Sequence, residues 1–135
     1  MTQTTETTTA VDRDAICRVV QLCLDGEATG DVDKLREAFH PDARMFGSLA
    51  GERYDVPIAE LFALAASAPA DTGNYRTRIL DVQQTDDAAF ATVAEDGYWG
   101  TVSFVDYLSL VRIDGTWKIV NKTFAHTGGE PPDMS

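Results

Sequence analysis

Basic residues are scarce in this chain: 11 Lys and Arg stand against 22 Asp and Glu, giving a formal charge of −11 and a pI near 4.3. A surface of that sign opposes nucleic acid and anionic lipid, which bind through basic patches that displace counterions. A small neutral or cationic ligand is the easier partner. Imidazole is nearly missing: His40 and His126 are the only histidines, neither has a carboxylate or thiol at ligand spacing, and no metal site is expected. Cysteine is limited to Cys17 and Cys23. In one expected helix that spacing sets them about 9 Å apart along the axis and on different faces, so they cannot bridge and read as reduced core thiols of a cytoplasmic protein. The chain lacks a glycine-rich phosphate loop, a nucleophile elbow and an internal repeat, and no cofactor is expected. Residues 1–10, rich in Thr, have neither a basic start nor an apolar run, so a disordered tail is expected there rather than a leader or a membrane anchor. Residues 128–135, with two Gly and two Pro, read the same way. The span 11–127 between them is expected to be a single domain, long enough to bury a core and hollow out a small pocket without disulfides.

What is present most clearly is a hairpin. Asp114-Gly115 separates two alternating apolar runs, Asp106 to Ile113 and Thr116 to Phe124, and this dipeptide favours a two-residue turn with both residues at positive φ. Counting outward from the turn pairs Ile113 with Thr116, Arg112 with Trp117, Val111 with Lys118, Leu110 with Ile119, Ser109 with Val120, Leu108 with Asn121, Tyr107 with Lys122 and Asp106 with Thr123. One face then carries Asp106, Leu108, Leu110, Trp117, Ile119, Asn121 and Thr123; the other carries Val105, Tyr107, Ser109, Val111, Val120, Lys122 and Phe124. Both faces are largely apolar. Helices should cover one, and a second subunit the other.

Upstream, Asp12 is expected to cap a helix with Ile16, Val19, Val20, Cys23 and Leu24 on one side, interrupted by the stretch from Gly26 to Gly30. Asp31 caps a second helix through Ala38, which His40-Pro41-Asp42 ends. A short strand is expected at Ala43 to Phe46, and a third helix from Val56 to Ala66, started by Asp55 with Pro57 in its first turn. Strands at Tyr75 to Gln84 and Ala88 to Glu95 follow, turned by Asp86-Asp87, and a corner at Gly97-Tyr98-Trp99-Gly100 leads into Thr101 to Ile113. This order implies an α+β domain with helices on one face of a curved sheet.

The string from Leu24-Asp25-Gly26 through Gly30-Asp31, Leu35 and Ala38-Phe39-His40-Pro41-Asp42-Ala43, then Phe104, Asp106-Tyr107-Leu108 and Lys122-Thr123-Phe124, resembles the putative lumazine-binding family. That family belongs to the nuclear-transport-factor-like superfamily, with ketosteroid isomerase and the polyketide cyclases. The resemblance covers residues 12 to 126 and implies a cone: a strongly curved, mostly antiparallel sheet wrapped around three N-terminal helices, an internal pocket, and a homodimer. The isomerase's own catalytic pair is absent. Its helix tyrosine falls on Cys23 and its strand aspartate falls near Gly47.

Four residues are candidates for chemistry. His40, at the handover from the second helix to the first strand, is a titratable imidazole suited to general-base work, or else a helix-end tie. Asp106 and Tyr107 adjoin on one strand, so at most one of them lines a given pocket. If Tyr107 faces inward, Lys122 opposite it favours phenolate character; if Asp106 does, apolar neighbours raise its pKa and let it hold or deliver a proton. Trp99, Phe46, Tyr75, Phe62, Asn121 and Phe124 are the candidate pocket wall. The expected function is binding of a small, largely apolar organic molecule, with cofactor-independent acid-base chemistry of the isomerase, dehydratase or cyclase type. The alternative is a non-catalytic binding or association module.

Overall fold

The computed structural model describes the backbone of residues 10–132 and the side chains from Asp12 onward. Segments 1–9 and 133–135, both within the expected tails, lie outside the described residues. Helices α1 (Ala10–Thr29), α2 (Val32–Ala38) and α3 (Ala59–Ser67) pack on a six-stranded sheet of β1 (Phe39–Leu49), β2 (Glu52–Pro57), β3 (Asp71–Thr85), β4 (Ala88–Tyr98), β5 (Val102–Ile113) and β6 (Thr116–Gly128). The strand order is β2-β1-β6-β5-β4-β3. Every pair is antiparallel except β1 with β6, and the sheet curves without closing. Among the described residues no helix is long and apolar enough to cross a membrane.

Helix α1 buries Ile16, Val20, Cys23, Leu24 and Glu27, a stripe at helical spacing. It runs through Gly26 instead of stopping there, and α2 explains why. A β-carbon on Gly26 would stand 2.7 Å from Leu35 Cγ and 3.1 Å from the Asp31 carbonyl, so this glycine serves close helix packing rather than a break. Asp31 caps α2 as expected, accepting from the Lys34 amide at 3.3 Å. Asp12 does not cap α1; it lies in the first turn and holds Arg112 at 3.0 Å.

The region around residue 55 also differs from expectation. Asp55 and Pro57 belong to β2, which pairs with Arg44–Leu49 through a turn in which Ala50 (φ 51°) and Gly51 (φ 86°) both take positive φ. This hairpin carries the expected four-residue strand on to Leu49 and delays α3 to Ala59. Pro57 is tolerated because it ends an edge strand, where no partner needs its missing N–H. At the other end, β6 continues to Gly128 and the chain beyond it is tied down. Thr101 Oγ1 donates to the Glu130 carbonyl at 2.6 Å, so an ordered strand end replaces the expected tail up to that point.

The β5–β6 turn forms as expected, with Asp114 at φ 51° and Gly115 at φ 80°. Four pairs from Ile113–Thr116 to Leu110–Ile119 follow the expected register. Then Ser109 pairs with Asn121 instead of Val120, because Val120 is an extra residue bulged out of β6. From there Leu108 faces Lys122, Tyr107 faces Thr123 and Asp106 faces Phe124. The slip of one residue moves Lys122 and Phe124 to the inner face beside Asp106, and leaves Tyr107 on the outer face.

The tight contact at Gly26 is testable. In Gly26→Ala the overpacking cost, about 1–3 kcal/mol, outweighs the roughly 1 kcal/mol that alanine contributes to a helix interior. The urea midpoint should therefore fall with the slope of the transition unchanged. A midpoint at or above that of the parent chain would show that Leu35 gives way freely.

Candidate functional site

Four ionisable side chains are buried among the apolar residues of the cone: Glu27 from α1, Glu95 from β4, Asp106 from β5 and Lys122 from β6. Each arrives by simple local geometry. Glu27 continues the buried stripe of α1, Glu95 follows Ala89, Ala91 and Val93 on the inner side of β4, and the Val120 bulge brings Lys122 to Asp106. The Lys122 Nζ lies 3.0 and 3.1 Å from the two Glu27 oxygens and 3.8 Å from Asp106 Oδ2. Glu27 also accepts from the Tyr98 hydroxyl at 2.8 Å and from the Cys23 thiol at 3.2 Å. On the other side of the cluster the Tyr75 hydroxyl donates to Glu95 Oε2.

Two oxygens receive nothing from these donors. Glu95 Oε1 and Asp106 Oδ1 are buried with no hydrogen-bond partner among the described residues. Burial pushes Glu95 well above the usual carboxylate range, and the adjacent Asp106 charge pushes it further. Burial also raises Asp106 and Glu27, while the Lys122 ammonium pulls both back. Burial opposes the ammonium of Lys122, but Asp106, Glu27 and Glu95 together hold it well above the usual lysine value. Lys122 thus pairs as an ammonium with Glu27, and of the three carboxyls Glu95 is the one held most strongly towards its neutral form. Buried charges of this kind cost several kcal/mol each before pairing. Titratable groups displaced by such surroundings are typical of functional sites.

A cavity of about 30 Å³ opens onto Asp106 and Lys122. Its deeper wall is Met45, Leu61, Tyr98, Trp99, Phe104 and Phe124, with half-buried Leu49, Tyr54 and Leu64 on the solvent side. It has room for one or two water-sized groups as it stands, so a larger guest must part those three side chains. Trp99 holds its place through the positive φ of 54° at the strand corner and a 2.8 Å bond from its indole N–H to the Ala68 carbonyl.

Of the residues singled out from the sequence, the structure gathers Asp106, Lys122, Trp99 and Phe124 at this cavity. The others stand elsewhere. His40 lies half-buried at the start of β1, away from the cavity, where its Nδ1 accepts from the Asp42 amide at 3.0 Å. Tyr107 points outward, stacked on Phe90 with 5.9 Å between ring centroids, so the expected Tyr107–Lys122 pair does not form. Phe46 is on the outer face, Phe62 packs on the Phe39 ring, and Asn121 is engaged by Thr123 beside the bulge. Tyr75 reaches the cluster rather than the cavity. Glu27 and Glu95 were missed, although both continue an inward-facing periodicity that the sequence displays.

Residues 11–125 match the family described as putative lumazine-binding. The chain belongs to that family. An aldolase, FrzH, from Cladobotryum sp is 28% identical over 117 residues, spanning 86% of this chain and 92% of that protein. Solved structures of NTF2-like proteins of unknown function from Shewanella baltica OS155 and Methylobacillus flagellatus KT superpose with TM-scores of 0.80 and 0.82 at 25% and 27% identity. Each alignment covers 90% of this chain, with 99% and 97% of the respective neighbour. A ketosteroid isomerase-like protein from Erwinia carotovora atroseptica SCRI1043 shares the fold, with a TM-score of 0.70 at 16% identity over 89% of this chain and 99% of that one. Family and fold together support small-molecule binding.

The cluster sets a pH dependence of stability. The raised Glu95 keeps a proton that an unfolded chain releases near 4.5, the ordinary carboxyl value. Its contribution is therefore full below that pH and is lost as pH rises through the folded value. The melting temperature should climb as pH is lowered from about 8 to about 5, and Glu95→Gln should flatten the slope; an unchanged slope in the variant would place the proton elsewhere. Lys122→Met leaves Glu27 and Asp106 without their cation, so it should cost about 3–5 kcal/mol at neutral pH. Urea denaturation should show part of that loss recovered near pH 5.

Proposed function

We propose that the cone binds a small, largely apolar molecule bearing a carbonyl group and moves a proton at the carbon beside it, without a cofactor. The observation that carries this reading is the juxtaposition, on one cavity floor, of an ammonium and a carboxylate of raised basicity amid apolar walls. Lys122 would donate to the carbonyl oxygen and hold the negative charge that develops there. Asp106 would take the proton from the neighbouring carbon. Enolate formation of this kind is the step shared by isomerisation, dehydration, cyclisation and aldol chemistry, so the reading accommodates the name of the Cladobotryum relative. The homodimer belongs to the same proposal. Tyr107, Phe90 and Phe46 remain 42%, 38% and 36% exposed on the outer face of the sheet, which none of the described helices covers.

The test uses phenylacetone and acetone in heavy water, with exchange of the carbon-bound protons followed by nuclear magnetic resonance. Protein-dependent exchange is expected, and Asp106→Asn should lower its rate by about 10²–10⁴-fold while changing the ketone dissociation constant little. Binding without exchange in the parent chain would favour the non-catalytic alternative. For assembly, light scattering should give twice the 14.7 kDa chain mass. Tyr107→Glu should halve it by placing a charge in the interface.

A further inference from the structure

We propose that the guest of this cavity carries a protonated amine, with the ammonium head seated against the Asp106 carboxylate. The inference rests on the reading of the cavity as the ligand site and adds the charge of the ligand; it does not depend on a proton transfer. Asp106 is 1% exposed and lines the cavity, but its Oδ1 has no hydrogen-bond partner and its Oδ2 stands 3.8 Å from Lys122 Nζ, beyond hydrogen-bond length. Lys122 is committed elsewhere, to both Glu27 oxygens at 3.0 and 3.1 Å. A buried carboxylate that nothing donates to is destabilising, and it marks the place where a donor is missing.

The balance of charges and donors selects a cation. Three carboxyls share one ammonium; with Glu27 matched by Lys122 and Glu95 held towards its neutral form by burial, Asp106 is the charge left over. The walls do not supply what it lacks. The Trp99 indole N–H is bonded to the Ala68 carbonyl and the Tyr98 hydroxyl to Glu27, and Lys122 is the only basic residue among those lining the cavity. An alcohol would give Asp106 a donor and leave its charge unbalanced, whereas an ammonium supplies both. Once it is seated, two cations face two carboxylates. Tyr54, Tyr98, Trp99, Phe104 and Phe124 give the cavity the aromatic lining that favours an organic cation. The space of about 30 Å³ suits the head group alone, and the rest of the molecule reaches out past Leu49, Tyr54 and Leu64. Burial and then the nearby Glu52 charge raise the Tyr54 hydroxyl, which sets a carboxylate beside the mouth, and the chain's net charge of −11 draws cations towards it. An ammonium next to a carbonyl-bearing carbon also acidifies that region of the guest, so an amino ketone fits both this inference and the proposed reaction.

Isothermal titration calorimetry at pH 7 and about 0.15 M salt, which screens the exposed carboxylates, compares 2-phenylethylamine with 2-phenylethanol, a neutral molecule of the same size. The amine is expected to bind at one site per chain and at least about tenfold more tightly than the alcohol. Asp106→Asn should remove the difference. An amine that binds no better than the alcohol, or a preference that survives Asp106→Asn, overturns the inference. Should Asp106→Asn fail to fold, nuclear Overhauser contacts from the amine to the Trp99 and Phe124 rings of the parent chain decide instead, and their absence overturns it. Exchange of the phenylacetone protons without the amine preference would remove this inference and leave the proposed reaction standing. The preference without that exchange would do the reverse.

Discussion

Charge pairing inside the cone is the constraint on which the site depends. Three carboxyls and one ammonium are buried together, and an isolated charge there would cost several kcal/mol or neutralise itself. At an effective dielectric of 20, charges at the Lys122–Glu27 separation attract by about 5 kcal/mol, which is no more than their combined desolvation. The pair is therefore sustained by its neighbours. Tyr98 and Cys23 supply further hydrogen bonds to Glu27, and burial beside Asp106 pushes Glu95 towards its neutral form. Ile16, Leu24, Leu35, Ile58, Leu108, Leu110 and Ile119 are fully buried in the same core, each contributing about 1.5–3 kcal/mol. The fold has enough apolar burial to carry a polar centre that does not stabilise it.

Much of this architecture is legible in the sequence because it rests on local rules. The Asp114-Gly115 turn, the Asp31 cap and the inward alternation of β4 follow from dihedral preference, side-chain reach and a period of two. The β1–β2 hairpin was hidden because Ala50-Gly51 lacks the Asn or Asp that advertises such a turn, and because Asp55 and Pro57 imitate a helix start. Gly26 misled for a related reason. A glycine that breaks a helix and one that admits a neighbouring helix look alike until the neighbour is in place, and extending α1 past it is what carries Glu27 to Lys122.

The site was less legible than the fold, and one residue accounts for most of the difference. Nothing in Lys118-Ile119-Val120-Asn121-Lys122 announces that Val120 drops out of the ladder; the bulge is a compromise among β5, β6 and the parallel partner β1. Without it Lys122 and Tyr107 would share a face, and Asp106 would lack a cation. With it, the polar pair turns inward, and the aromatic pair Tyr107 and Phe90 is left for the outer surface.

The same charge balance narrows what Lys122 can do. Amine nucleophiles in enzymes are made by burial without a counter-charge, which lowers the lysine pKa and frees its lone pair. Here Glu27 lies at hydrogen-bond distance from Nζ with Asp106 just beyond, and pairing outweighs burial, so the nitrogen keeps its proton. In the proposed reaction Lys122 therefore polarises the carbonyl through an N–H bond and does not add to it. That division of labour leaves the proton itself to Asp106, whose basicity is tuned by how much of the ammonium's charge Glu27 has already taken up. In that proposed reaction the glutamate on α1 would tune an aspartate on β5 through a lysine on β6, the three side chains being joined by ion pairs at 3.0 and 3.8 Å.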